Sequence, residues 1–181
     1  MVRSIAHALR RRRWLRPASM LVLAGMLSAA PARAALDAGR PACDYCRMIF
    51  EDPAFGAEIT LRSGQRKIYD AVECMAAAVL TDSVSQRDIR AISLVDHDAP
   101  HERLPLARAV FLQCRAFESP MGLSLAAFPT RARASAAGGA GMGRVLDWRG
   151  VLALVDSTWF QGRLSVERHI THPRAKRTPS R

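Results

Sequence analysis

Two cysteines and a methionine lie within six residues, in the stretch Cys43-Asp44-Tyr45-Cys46-Arg47-Met48. Thiolate and thioether sulfur are soft ligands, and together they select Cu(I) over the divalent metals that prefer nitrogen and oxygen. Cys46 and Met48 are two positions apart, so in extended backbone both side chains leave the same face and can bind one ion. The spacing therefore predicts a Cu(I) site.

Met121 is a further candidate ligand, in the stretch Ser119-Pro120-Met121-Gly122. The pattern places it in a turn and not on a periodic apolar face. Pro120 fixes the backbone before it, and Gly122 removes bulk after it. Such a rigid presentation suits a ligand, whereas Met75, on a predicted helix, is typical of core filling.

Three other interpretations of the Cys43–Cys46 pair remain open. A thioredoxin-like redox pair should follow a buried strand and open a helix, but no strand pattern precedes Cys43 and Pro53 ends any helix quickly. A zinc knuckle needs a second close pair, and Cys74 and Cys114 stand alone. A structural disulfide with either of those cysteines is compatible with the sequence. The functional alternatives to copper binding are thus a thiol-disulfide oxidoreductase and a structural domain with two bridges.

The elements that position these residues begin with a predicted β-hairpin. Residues 56–62 alternate at period 2, a turn follows at 63–64, and 66–69 form the returning strand. Asp70 then occupies an N-cap position, with Glu73 at capping-box spacing. The helix that follows has an apolar face formed by Val72, Met75, Ala76, Val79 and Leu80.

The second half of the chain predicts short elements of the same kind. The predicted strands lie around 92–94 and over 110–114, 123–128 and 145–146; the predicted helices lie over 132–137, capped by Thr130, and from 148 to about 159, capped by Asp147. Hairpin spacing in place of long crossovers indicates an α+β fold.

The remaining reactive side chains have ordinary structural explanations. Cys74 on the first helix and Cys114 at a strand end are predicted to be buried core thiols. His97 and His101 are predicted to be exposed in a loop, where a transient role as imidazole ligands is chemically reasonable. The sequence shows no acid–base pair, nucleophile elbow or phosphate loop, which argues against an enzyme.

Residues 1–34 have the pattern of a cleaved secretory signal. A basic segment precedes the apolar run 20–30, and Ala32-Arg33-Ala34 matches a small-residue cleavage site. The apolar run has 11 residues, whereas a spanning helix needs roughly 20. We therefore expect no membrane span, cleavage near Ala34 and a periplasmic mature chain.

The charge of the mature chain is modest. The whole chain has 27 basic and 16 acidic residues, but residues 1–34 contain seven arginines and no acid, so 20 basic against 16 acidic leaves +4. Nucleic-acid binding is therefore not expected. Residues 35–165 are long enough for one domain with a hydrophobic core, and the basic residues 166–181 are predicted to form a flexible tail.

Four motifs in order carry a resemblance to a known family. They are Cys43-x-x-Cys46-x-Met48, Ile68-Tyr69-Asp70-Ala71-Val72-Glu73-Cys74, Ser119-Pro120-Met121-Gly122 followed by Ala127-Phe128, and Arg144-Val145-Leu146-Asp147-Trp148. From about Cys43 to about Leu154, the chain resembles the NosL-type copper-binding accessory proteins of nitrous oxide reductase.

The resemblance implies a monomeric periplasmic Cu(I) carrier and not an enzyme. It also implies an α+β fold of two small β-β-α-like units with antiparallel strands, related in shape to a domain of organomercurial lyase. The implied role is to supply copper for the copper-sulfide cluster of nitrous oxide reductase, directly or through its assembly machinery. The implied ligands are Cys46, Met48 and Met121, with Cys43 as an assisting ligand.

Two departures from the family pattern are visible. Family members are often lipoproteins, but no cysteine stands at the cleavage site here. The usual glycine between the second cysteine and the methionine is Arg47, whose charge either favours the Cys46 thiolate or faces solvent.

Overall fold

The computed structural model describes residues 40–139 and 141–169. All the described residues belong to one compact unit. The predicted signal segment lies outside the described residues, as does the predicted tail from residue 170 onward. Among the helices of the described residues, none combines the length and apolarity that crossing a membrane requires.

A four-stranded antiparallel sheet forms the first half of the described chain. Its strands are β1 (Ala57–Leu61), β2 (Arg66–Tyr69), β3 (Ile89–Asp96) and β4 (Ala99–Pro105), in the order β2-β1-β3-β4. Helix α1 (Val72–Leu80) follows β2, and all nine of its residues are buried. The predicted hairpin and the helix after it are confirmed, and β2 lies at an edge of the sheet.

A three-stranded antiparallel sheet forms the second half. It contains β5 (Val110–Cys114), β6 (Leu125–Phe128) and β7 (Gly143–Leu146), in the order β6-β5-β7, with helices α2 (Arg131–Ala137) and α3 (Trp148–Trp159) after β6 and β7. The two predicted N-caps are confirmed: Thr130 accepts a hydrogen bond from the Arg133 amide at 3.2 Å, and Asp147 accepts one from the Gly150 amide at 2.8 Å. Helices beside two small antiparallel sheets confirm the α+β class.

Three local predictions are wrong. Asp70 does not cap α1, because the N-cap is Ala71 and no side chain caps the helix; consequently the capping box with Glu73 does not form. Residues 99–105 form β4 and not a loop, so His101 lies on an exposed strand. The predicted exposure of His97 is also wrong: it lies in the β3–β4 turn and is half-buried, because its ring packs against Phe55, Phe117 and Phe128.

Two clusters of buried side chains form the core. The larger joins β1, β3, α1 and α3, and it contains Cys43 and Cys74; the smaller contains Phe55, Leu112, Cys114, Ala126, Phe128 and Ala134. The first residues of the predicted tail form a 3-10 turn, Val166–His169. Gln86 donates a hydrogen bond to the carbonyl of Arg168 at 3.0 Å, which holds this turn to the domain.

Candidate metal centre

The segment that contains Cys43, Cys46 and Met48 is a narrow reversal of the chain. The Cys43 amide donates to the Met48 carbonyl at 2.8 Å, and Ala42 and Ile49 form an isolated antiparallel bridge just outside. Arg47 adopts φ +67° within the reversal. This left-handed conformation is one that glycine adopts without steric cost and that is unfavourable for arginine.

Asp44 fixes this reversal to the edge strand β2. Its amide donates to the Ile68 carbonyl at 2.8 Å, and its carboxylate accepts from the Ile68 amide at the same distance. The other carboxylate oxygen lies 3.1 Å from the Lys67 ammonium. The loop therefore occupies backbone groups that an edge strand otherwise leaves unpaired, and its cysteines are carried to the start of α1.

Four metal-ligating side chains meet where the loop reaches α1. The ligand atoms of Cys43, Cys46, Asp70 and Cys74 all lie within 4.8 Å of one another. The Cys46 thiol donates to both carboxylate oxygens of Asp70, at 3.5 and 3.6 Å. Two sulfurs bound to one ion at about 2.3 Å each are about 4.6 Å apart in linear coordination and closer in trigonal or tetrahedral coordination, so the group must contract to hold an ion.

The four side chains differ in their access to solvent. Cys43 and Cys74 are 0% exposed and Asp70 is 1% exposed, whereas Cys46 is half-buried. Met48, two residues farther along, is 47% exposed. The centre thus has a closed inner side and one sulfur at its outer edge.

The thiols have different pKa values because they are buried close together and hydrogen-bond to one another. A hydrogen bond from Cys74 lowers the pKa of Cys43 to about 6, whereas burial raises the pKa of Cys46 to about 11. The pKa of Cys74 is raised, first because its proton is held by Cys43 and then by burial. One thiolate therefore forms readily, and further ionisation beside it is opposed.

The composition of the group suits a cation. Each of its members is either neutral or negative, so loss of protons places like charges together in a site where charge is poorly solvated. A soft cation removes that repulsion and accepts electron pairs from the sulfurs. The phenol of Tyr69, beside this group, is buried and its oxygen has no hydrogen-bond partner; burial, followed by the charges of Asp44 and Cys43, raises its pKa.

The structure brings together two of the four predicted ligands, Cys43 and Cys46. Met121 is half-buried and packs against the core cluster that contains Cys43, while Met48 lies at the surface. The roles of Met48 and Met121 as ligands stay predictions.

Sequence reasoning missed Asp70 and assigned Cys74 only to the core. Cys74 is buried as expected, but its sulfur also belongs to the candidate metal centre. Asp70 precedes the N-cap Ala71, so no helical spacing rule joins it to Cys74, and the sequence carries no local signal for this pair. Cys114 is buried in the other core cluster, and all four cysteines are free thiols, which contradicts the interpretation with two bridges.

Comparison with known proteins finds similarity to a solved structure and no match of other kinds. No protein-family model matches the chain, and a search of curated proteins finds no match. The chain is similar to a solved structure described as the copper chaperone NosL from Shewanella denitrificans, with a TM-score of 0.49 and 14% sequence identity, covering 59% of this chain and 85% of that one. At this level, the similarity assigns neither a family nor a function to this chain.

Proposed function

We propose that this protein is an exported Cu(I) carrier that supplies copper to nitrous oxide reductase. The observation that carries the copper site is the group of three thiols and one carboxylate, whose ligand atoms lie within 4.8 Å of one another. The donor set holds the ion, and the recipient follows from the motif resemblance described above. The mature chain acts as a monomer in the periplasm, after cleavage near Ala34.

The chemistry of the donors supports Cu(I) over harder ions. Three sulfurs dominate the group, and Met48 adds a thioether two residues from Cys46. The three thiols are sufficient for Cu(I), which prefers such soft ligands, whereas zinc would take the three thiols with Asp70 as a fourth donor and leave the Met48 thioether unused. Asp70 then acts first as a hydrogen-bond acceptor that orients the Cys46 thiol, with its oxygen near enough to bind the ion.

The gradient of exposure supports a carrier. Cys43 and Cys74 are shut inside the fold, while Cys46 is half-buried and Met48 is 47% exposed. A thiolate or imidazole of a recipient can therefore approach the ion from the outer side. Copper then moves by associative exchange: the incoming ligand binds, an outer sulfur leaves, and the relative affinities of the two proteins decide the direction.

The distribution of acidity argues against the thiol-disulfide oxidoreductase. Such an enzyme attacks its substrate with an accessible thiol of low pKa. Here the accessible thiol, Cys46, has its pKa raised to about 11 by burial, and the thiol with a pKa of about 6, Cys43, is fully buried. The acidic thiol and the solvent-accessible thiol are therefore different residues.

Anaerobic titration of the reduced mature protein tests the copper site. Native mass spectrometry should record one Cu(I) per chain, and a matched titration with Zn(II) should give weaker binding. Cys46→Ser should impair copper binding strongly, while Cys114→Ser, at a buried thiol of the other core cluster, should leave it unchanged. Equal loss in both variants, or no copper bound by the wild type, would contradict the proposal.

The recipient is tested in cells. A strain carrying Cys46→Ser should synthesise and export nitrous oxide reductase that lacks copper at its catalytic cluster, whereas Cys114→Ser should yield a normal enzyme. The measurements are the copper content and nitrous oxide turnover of the purified reductase. A fully metallated, active reductase from the Cys46→Ser strain would refute this part of the proposal.

A further inference from the structure

Glu73 is an acid that the fold buries completely, next to Cys74 on the first turn of α1. It is 0% exposed. One carboxylate oxygen, Oε1, accepts hydrogen bonds from the hydroxyl of Ser119 and, at 3.3 Å, from the amide of Leu123. The other, Oε2, is buried without a hydrogen-bond partner. Burying such a group costs free energy unless its contacts compensate, so the position calls for an explanation.

Helix capping does not provide that explanation. A glutamate in the first turn is often the acidic member of a capping box, but no side chain caps α1. Both hydrogen bonds of Glu73 go to a segment about 50 residues farther along the chain. The hydrogen bonds of Glu73 therefore stabilise tertiary structure, because they attach a distant loop to α1.

That loop runs from Ser119 to Ser124 and contains Met121. The Ser119 hydroxyl, which donates to Glu73, accepts from the Ser124 amide at 2.9 Å, and the Ser119 carbonyl accepts from the Gly122 amide at 3.0 Å. Gly122 and Ser124 both adopt left-handed conformations, at φ +78° and +58°. For Ser124 this conformation is unfavourable, so the shape of the loop depends on its hydrogen bonds to Glu73 and Ser119.

We propose that Glu73 is the positioning residue that fixes the Met121 thioether relative to the thiol group at the start of α1. The same helical turn carries the Cys74 sulfur and the carboxylate that anchors the Ser119–Ser124 loop, so the two are placed by one rigid element. This inference rests on the proposed copper function. Glu73 does not touch the ion; it acts through Met121.

A double-mutant cycle tests the proposal on the mature protein with Cu(I) as the probe. Glu73→Ala should weaken Cu(I) binding by the same factor as Met121→Leu, on the order of 10-fold, as is typical for a residue that orients a ligand. The double variant should bind no more weakly than either single variant. Glu73→Gln keeps an oxygen that can accept from Ser119 and Leu123, so it should restore most of the affinity.

A spectroscopic readout separates positioning from a general loss of structure. With methyl-labelled methionine, Cu(I) should shift the Met121 ε-methyl resonance in the wild type and in Glu73→Gln, but not in Glu73→Ala. Ser119→Ala breaks the same anchor more gently and should repeat the Glu73→Ala result, which keeps the test available if Glu73→Ala does not fold.

The outcomes distinguish this inference from the proposed function. Losses that multiply in the double variant would show that Glu73 and Met121 act independently, and would overturn the inference while copper binding stands. An unchanged affinity in Met121→Leu would overturn it equally, with the thiol centre still intact. Absence of Cu(I) binding in the wild type would instead refute the proposed function itself.

Discussion

Replacement of Cys74 by alanine tests whether Cys74 is a metal ligand or only a core residue. Cys74 is 0% exposed and its sulfur belongs to the group within 4.8 Å, whereas Cys114 is 2% exposed and lies in the other core cluster. Both alanine variants remove one buried sulfur, and both should lose about 1 kcal/mol of folding free energy in the apo state. The two substitutions are therefore matched in packing and differ in the metal centre.

The expected effect on affinity follows from sharing the binding energy among the donors. A structural zinc site with four ligands is worth about 10–16 kcal/mol, or roughly 3 kcal/mol per ligand. Because 1.4 kcal/mol is a factor of ten, removal of one thiolate from a comparable soft-metal site should weaken binding on the order of 100-fold. Cys114→Ala should change the affinity by less than about twofold.

The assay is competition for Cu(I) against a colorimetric chelator under anaerobic, reducing conditions, with urea unfolding of the apo proteins beside it. We expect the two apo variants to unfold at similar urea concentrations and to differ sharply in Kd. Equal affinities for Cys74→Ala and Cys114→Ala would refute the assignment of Cys74 to the centre and return it to the core alone.

Three further substitutions give independent tests. Met48→Leu should weaken Cu(I) binding less than Cys46→Ser, because a thioether supplies no charge; competition titrations in which Met48→Leu equals Cys46→Ser in effect would contradict this. Arg47→Gly should raise the free energy of unfolding, measured in urea, by roughly 0.5–1 kcal/mol. The reason is that φ +67° costs a non-glycine residue about 1–2 kcal/mol, partly offset by the flexibility of glycine in the unfolded chain. A lower urea midpoint in the variant would show that contacts of the Arg47 side chain outweigh the backbone cost. The hydrogen bond from Arg66 holds the pKa of Glu58 below its ordinary value. The wild type should therefore be more stable than Arg66→Gln at neutral pH, and this advantage should disappear as the pH falls through the lowered pKa of Glu58. A difference in urea midpoint that does not change with pH would contradict a stabilising Arg66–Glu58 pair.

Local patterns in the sequence were sufficient for most of the secondary structure. The β1–β2 hairpin follows from alternation and a Ser-Gly turn, and Thr130 and Asp147 cap their helices as predicted. These features depend on neighbours within a few residues. Strand β4 was missed because most of its residues are exposed, so neither face carries the apolar alternation that marks a strand.

The candidate site was only partly predictable, because the hydrogen-bond partners of its side chains come from distant parts of the chain. Asp70 and Glu73 have capping-box spacing, but the fold directs Asp70 to the Cys46 thiol and Glu73 to the Ser119 hydroxyl. Those partners lie 24 and 46 residues away, beyond the reach of a local pattern. The cysteine spacing identified the loop, while the inner half of the centre required the three-dimensional fold.

The ligands of the centre come from two chain segments, the loop of Cys43 and Cys46 and the helix start of Asp70 and Cys74. An ion bound to both segments is a cross-link, and between Cys46 and Asp70 it closes a loop of about 25 residues. Because the ion binds only the folded chain that holds both segments together, its stabilisation follows mass action and is about 2.7 kcal/mol at a free Cu(I) concentration 100 times the dissociation constant. On the proposed copper function, metal loading and stability are linked: the Cu(I)-bound form should unfold and be cleaved by proteases more slowly than the apo form.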